Sequence, residues 1–156
     1  MRARRLEDIE RIRDAAGRVK RYSDRLVGIG PFGIGIDGIS SFVPGVGLAY
    51  SLGAGAILVL LAVRARAAPS TIAAMIAMLA ADSALDAVPI PLVPGIADML
   101  FTGHRWAADA LLRHLDETVY YPGTRAEAEA DHHFQADQAQ RRTHGRRRRV
   151  VHLGEA

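Results

Sequence analysis

Four aspartates pose the first question of chemistry. Asp37, Asp82, Asp86 and Asp98 are the only acids between residues 26 and 103, a stretch whose other charges are Arg64 and Arg66 alone. A carboxylate at membrane depth is costly and tends to serve ion or proton handling. Asp82 and Asp86 stand four apart and share one helical face. Two carboxylates so placed repel, which raises a pKa or calls for a cation, with Arg25, Arg105 or water as the expected partners. Asp37 and Asp98 lie beside turns, where capping a helix is the commoner use of an acid.

Other chemistry is weaker. Gly28-Ile-Gly-Pro-Phe-Gly33 matches the glycine pattern of dinucleotide sites, but that pattern works only between a strand and a helix start. Here an arginine-rich helix precedes it, Pro31 removes a backbone N–H, and Asp37 is too close to serve as the ribose acid. His132-His133, near Glu129 and Asp131, lie in a polar segment with no closed ligand set, and a solvated helix face is the better reading. Cysteine is absent, which removes disulfides and thiolate chemistry. No hydrolase motif joins a Ser, a His and an Asp. The expectation is a non-enzymatic protein with no cofactor and no metal.

The basic run Arg146, Arg147, Arg148 and Arg149 could be a solvated tail, a lipid headgroup anchor or a nucleic-acid contact. No aromatic is interleaved within it, so base stacking has no support. Net charge is only +3 in 156 residues, and no nucleic acid is expected. Anionic headgroups fit best beside an apolar middle.

That middle dominates the layout. Residues 1–25 and 104–156 are rich in charge, whereas the 78 residues from 26 to 103 hold six charges, far below the roughly 25% of soluble domains. Three parts follow: a charged N-terminal helix at 1–25, an apolar helical membrane domain at 26–118, and a polar, largely disordered tail at 119–156. The start, Met1 to Asp14, has no apolar core and does not read as a cleavable signal. Leu6, Ile9, Ile12, Ala16 and Val19 recur at helical spacing and predict an amphipathic helix over 3–20, packed on its own protein or lying on a membrane surface. Gly45 to Val63 is a run of 19 residues without a charge, near the length of a spanning helix. Arg64 and Arg66 would mark its water edge. Pro69 stops that helix, and Ser70 is a plausible N-cap for a second one near Thr71 to Asp86. A third is expected near Ile96 to Thr118. Thr124-Arg-Ala-Glu127 has capping-box spacing for a short polar helix.

Gly47, Ser51 and Gly55 form one smooth helix face, and Ala73, Ala77 and Ala81 another. In lipid, small residues let helix backbones approach closely. The two faces predict an antiparallel hairpin about Pro69. Two similar turns frame it: Pro44-Gly45 within Phe42-Val-Pro-Gly-Val-Gly47, and Pro94-Gly95 within Leu92-Val-Pro-Gly-Ile-Ala97, each preceded by an aspartate. They suggest an internal repeat that gives two half-inserted helix entrances.

Asp24, Gly33-Ile-Gly-Ile-Asp37, the two Val-Pro-Gly runs, Asp86, Asp98 and Ala110-Leu-Leu-Arg-His-Leu115 together resemble the bacterial family called domain of unknown function 4112, over about residues 22–116. The sequence departs from the family pattern at Leu48, where an Asp is usual, and at Ala97, where a Gly is usual. The asparagines common in the family's last helix are not evident between 104 and 115. The resemblance implies membrane association and no mechanism.

The combined expectation is an all-α membrane protein: an apolar helical hairpin, Pro/Gly-broken helix entrances, an amphipathic N-terminal helix and a disordered basic C-terminal tail. It would act as an accessory or scaffold subunit in a bacterial inner (plasma) membrane, partnered by the lipid bilayer, by copies of itself or by a larger membrane complex. Both termini would be cytoplasmic. A full crossing would put Arg64 and Arg66 outside, against the positive-inside rule, and a hairpin that dips in without crossing removes the conflict. An ion-handling unit built on the aspartates and a soluble adaptor that docks its hairpin into a partner are the alternatives.

Overall fold

The computed structural model describes residues 2–27, 46–86, 102–143, 145 and 148–155, with the side chains of 22–27, 46–52, 82–86 and 102 excepted. The described chain is mostly helical, with one small sheet. In order it forms α1 (Leu6–Val27), α2 (Val46–Arg64), α3 (Pro69–Asp86), α4 (Thr102–Glu117), β1 (Thr118–Tyr121), α5 (Arg125–Ala130), α6 (His132–Thr143) and β2 (Arg149–His152).

The apolar stripe of α1 packs on its own protein. Ile9, Ile12 and Ala16 are buried and Val19 lies against the same cluster, while Leu6 is left exposed. The partner surface is α4, through Ala107, Ala108, Leu111 and Leu115. Lys20 pairs with Asp109 at 2.6 Å and Arg13 with Asp116, so both ion pairs join α1 to α4. The Arg13 pair is largely exposed and contributes little beyond orientation.

The hairpin expected about Pro69 is present. Gly55 of α2 lies against Leu79 of α3, and these residues are equally far in sequence from the intervening turn, as two antiparallel helices require. Pro69 is the first residue of α3, where its missing N–H matters least. Ala68 rather than Ser70 therefore precedes the helix, and its carbonyl accepts the first helical hydrogen bond, from Ile72 N–H at 3.1 Å.

Two expectations need correction. The first is the membrane span. Among the described residues no helix is long and apolar enough to cross a membrane. The 19 residues of α2 give a rise of about 28 Å, just short of a hydrocarbon core. One side of that helix, Leu58, Leu61 and Ala62, is already buried within its own chain.

The second is the all-α fold with a disordered tail. Residues 118–121 pair in parallel with 149–152, with Val119 opposite Val150 and Tyr120 opposite Val151. Parallel strands need a long crossover, and α5 and α6 supply it. Val151 and Leu153 enter the core cluster of α1, α2 and α4. Their burial offsets the ordering of a segment whose arginines suggested disorder. Alternation along β2 sends Val151 inward and Val150 and His152 to the other side, where a groove forms.

The capping box at α5 is as its spacing predicts: Thr124 Oγ1 accepts from Glu127 N–H at 3.3 Å, and Thr124 N–H donates to the Glu127 carboxylate at 2.6 Å. Asp131 closes α5 and opens α6 by accepting the Phe134 N–H at 3.0 Å, which holds its carboxyl below the usual range. Gly154 lies so close to Gly123 that a Cβ there would stand 2.7 Å from its backbone carbon.

Candidate functional site

The described polar chemistry gathers at the hairpin turn. The end of α2 adopts a Schellman arrangement: Ala67 N–H donates to Ala62 O at 2.9 Å and Arg66 N–H to Val63 O at 3.1 Å. This geometry puts Arg66 at φ 54°, a position glycine usually takes. The last carbonyls of a helix need donors from elsewhere. Three elements distant in sequence provide them. Ala3 N–H donates to Arg64 O at 2.8 Å, Tyr120 Oη–H to Ala65 O at 3.0 Å, and Arg149 Nη1 to Arg66 O at 2.7 Å.

Arg66 returns the contact. Its guanidinium donates to His152 O at 2.8 Å, to Leu153 O at 3.4 Å and to Glu155 O. The turn and the C-terminal strand are thus clamped by two arginines, each reaching the backbone of the other's segment. Arg66 Nε is buried without a partner.

His114 of α4 completes the cluster. Its Nε2 accepts from Ala68 N–H at 3.2 Å, and Arg149 Nη1 lies 3.3 Å from the same nitrogen. Nε2 must therefore keep its lone pair, which assigns the ring proton to Nδ1, 3.2 Å from Thr71 Oγ1. Burial first and the charge of Arg149 second hold the imidazole below its usual pKa, and Glu117 opposes them. Burial likewise pushes the Tyr120 phenol up. His114 and Thr71 also border an open groove of about 420 Å3 with Trp106 and Arg113, and the hydrogen bonds themselves latch the turn to α4 and β2.

The sequence-predicted residues distribute as follows. Gly55 is buried, with Leu79 and His104 around the place a Cβ would take. Gly47 and Ser51 lie on α2, but their side-chain surroundings are outside the described residues, as are those of Asp82 and Asp86 on α3. Ala73, Ala77 and Ala81 are exposed on α3, whose buried seam runs instead through Ile72, Met75 and Leu79. Long side chains reach across this hairpin where the alanine stripe would have brought backbones together. Ala77 and Ala81 border a shallow groove against Gly103 and Trp106 of α4. Asp37, Asp98, Pro44, Gly45, Pro94, Gly95, Arg146 and Arg147 lie outside the described residues, as do both Val-Pro-Gly turns and the glycine pattern at 28–33.

Arg148 lines the C-terminal groove, and Arg149 belongs to the latch. His132 and His133 are exposed, and among the described residues no cluster of acids and histidines could hold a metal. Sequence reasoning missed Arg66, His114 and Tyr120 as functional groups. A charged residue at the C-terminal end of a helix and a histidine four residues before Thr118 were the available signals, and neither names a partner more than 40 residues away.

A helical hairpin held at its turn by a parallel strand pair is the architecture of a small, mostly helical domain. The family described as Domain of unknown function (DUF4112) matches residues 11–115, about two-thirds of the chain, and the protein belongs to it. No curated protein and no solved structure matches the chain.

Proposed function

We propose that this protein is a non-enzymatic accessory or scaffold subunit that rests the outer face of its hairpin in the lipid of a bacterial inner membrane without crossing it. The observation that carries this reading is the outward surface of α2. Ile57, Leu60 and Val63 are 52%, 61% and 43% exposed on a helix whose opposite side is core. Ile76 of α3 and Trp106 of α4 add to the exposed apolar surface. A helix apolar all round is normally covered on every side, and a large exposed apolar surface marks an interaction site.

Lipid is favoured over a protein groove by the basic residues at one end. Ala3 is bonded to Arg64 O, which brings the exposed Arg2, Arg4 and Arg5 to the turn beside exposed Arg64. The C-terminal strand is clamped to the same turn. Arginines at that end suit anionic headgroups. Turn and termini can then share the cytoplasmic side, which satisfies the positive-inside rule.

The test is flotation of the full chain with phosphatidylcholine–phosphatidylglycerol vesicles. The expected result is co-flotation that Ile57→Glu plus Leu60→Glu abolishes with the helical circular dichroism unchanged. A chain that stays monodisperse in detergent-free buffer and does not float overturns the reading in favour of a soluble adaptor.

A further inference from the structure

We propose that the groove between the crossover helices and β2 binds a phosphomonoester group. The groove is half open and has a volume of about 420 Å3, within the range of small-ligand sites. Gln138 lines it, is 9% exposed, and has its amide nitrogen buried with no hydrogen-bond partner. A buried donor without an acceptor is rare in folded proteins and calls for an explanation, of which a bound ion or ligand is one.

The neighbours fix the sign of that acceptor. Arg142 and Arg148 line the same groove, both exposed, and neither forms an ion pair with a described residue. Arg125 and the Glu129 carboxylate also line it, and they neutralise each other at 2.9 Å. The groove therefore presents two guanidinium groups with no ion pair to a described residue, above a buried amide nitrogen that no described group meets. That set suits a compact oxyanion with several acceptors, as phosphate recognition by arginine requires. Phe134 adds an aromatic wall beside the polar groups, so the phosphate would be carried on an organic group and not arrive as the bare ion.

This site is separate from the apolar face of the hairpin and does not depend on lipid docking there. A phosphomonoester can come from a soluble metabolite or from a phosphatidic-acid headgroup, and the chemistry is shared. Phenyl phosphate is the soluble probe. Its 31P resonance should shift saturably on addition of the full chain. Arg142→Ala should weaken that binding at least tenfold. Gln138→Leu should weaken it several-fold while leaving thermal stability equal or higher, since it removes an unmet buried donor. Arg18→Ala, an exposed arginine on α1, should leave it unchanged.

Phosphatidylcholine vesicles with and without phosphatidic acid separate the sources. Extra binding to phosphatidic acid that both groove variants lose points to lipid, and phenyl phosphate binding without that preference points to a soluble ligand. No saturable 31P shift, or equal loss in Arg18→Ala, overturns the proposal. Failure of the hairpin to float leaves the phenyl phosphate measurement intact, so the two readings fail separately.

Discussion

Ala68 N–H donates to Nε2 of His114 at 3.2 Å, which joins the start of α3 to the end of α4 across 46 residues. The imidazole serves as the acceptor a helix start ordinarily finds in a Ser or Asp side chain. It can do so only while neutral. Folding lowers the pKa of His114 below 6.5, so the unfolded chain takes up the proton first as pH falls. The contribution is full above pH 6.5 and is lost as pH drops from there through the lower folded pKa. Thermal melts from pH 8 to pH 5 should show falling stability, and His114→Gln should flatten that slope. An equal slope in the variant would place the titration elsewhere.

Arg66 combines a left-handed backbone with a guanidinium committed to the C-terminal strand. Arg66→Ala keeps the backbone strain and loses the clamp, and should destabilise by about 1.5–3 kcal/mol, the range for hydrogen bonds to a charged group. Arg66→Gly relieves the strain and should be better by about 1 kcal/mol. In both variants, amide exchange at Val150 to Leu153 should accelerate more than in α1. Uniform acceleration across the chain would mean that the clamp is not local to β2.

The Tyr120 hydroxyl is the donor for Ala65 O at 3.0 Å. Tyr120→Phe removes it with little change of shape and should cost about 0.5–1.5 kcal/mol in chemical denaturation. A neutral result would mean that water replaces the hydroxyl at the helix end.

Gly55 has room for little more than hydrogen. A Cβ would stand 3.3 Å from both methyl groups of Leu79. Gly55→Leu overpacks that contact and should destabilise by about 1–3 kcal/mol. Faster proteolysis between α2 and α3 is the readout, and an unchanged digestion pattern would count against close helix approach there.

The local features were legible in the chain itself. Helical spacing of Ile9, Ile12 and Ala16 predicts the buried stripe of α1, Pro69 predicts the break between α2 and α3, and Thr124 with Glu127 predicts the cap of α5. Each depends on neighbours within a few residues, so pattern suffices. The C-terminal segment was misread for the opposite reason. Arginine-rich composition argues for a solvated tail, and the pairing of Val150 and Val151 with β1 depends on a crossover of about 30 residues that no local pattern encodes.

Sequence alone determined the helical hairpin and its family, because periodicity, proline and short motifs act over one or two turns. Tertiary structure decided which faces are covered. It turned Ala73, Ala77 and Ala81 outward, placed Leu79 over Gly55, and drew Arg66, His114, Tyr120 and Arg149 around a single turn. The reason is that the exposed carbonyls at a helix end accept any donor the fold brings within reach. Which donor arrives is settled by packing distant parts of the chain together, which residue spacing does not record.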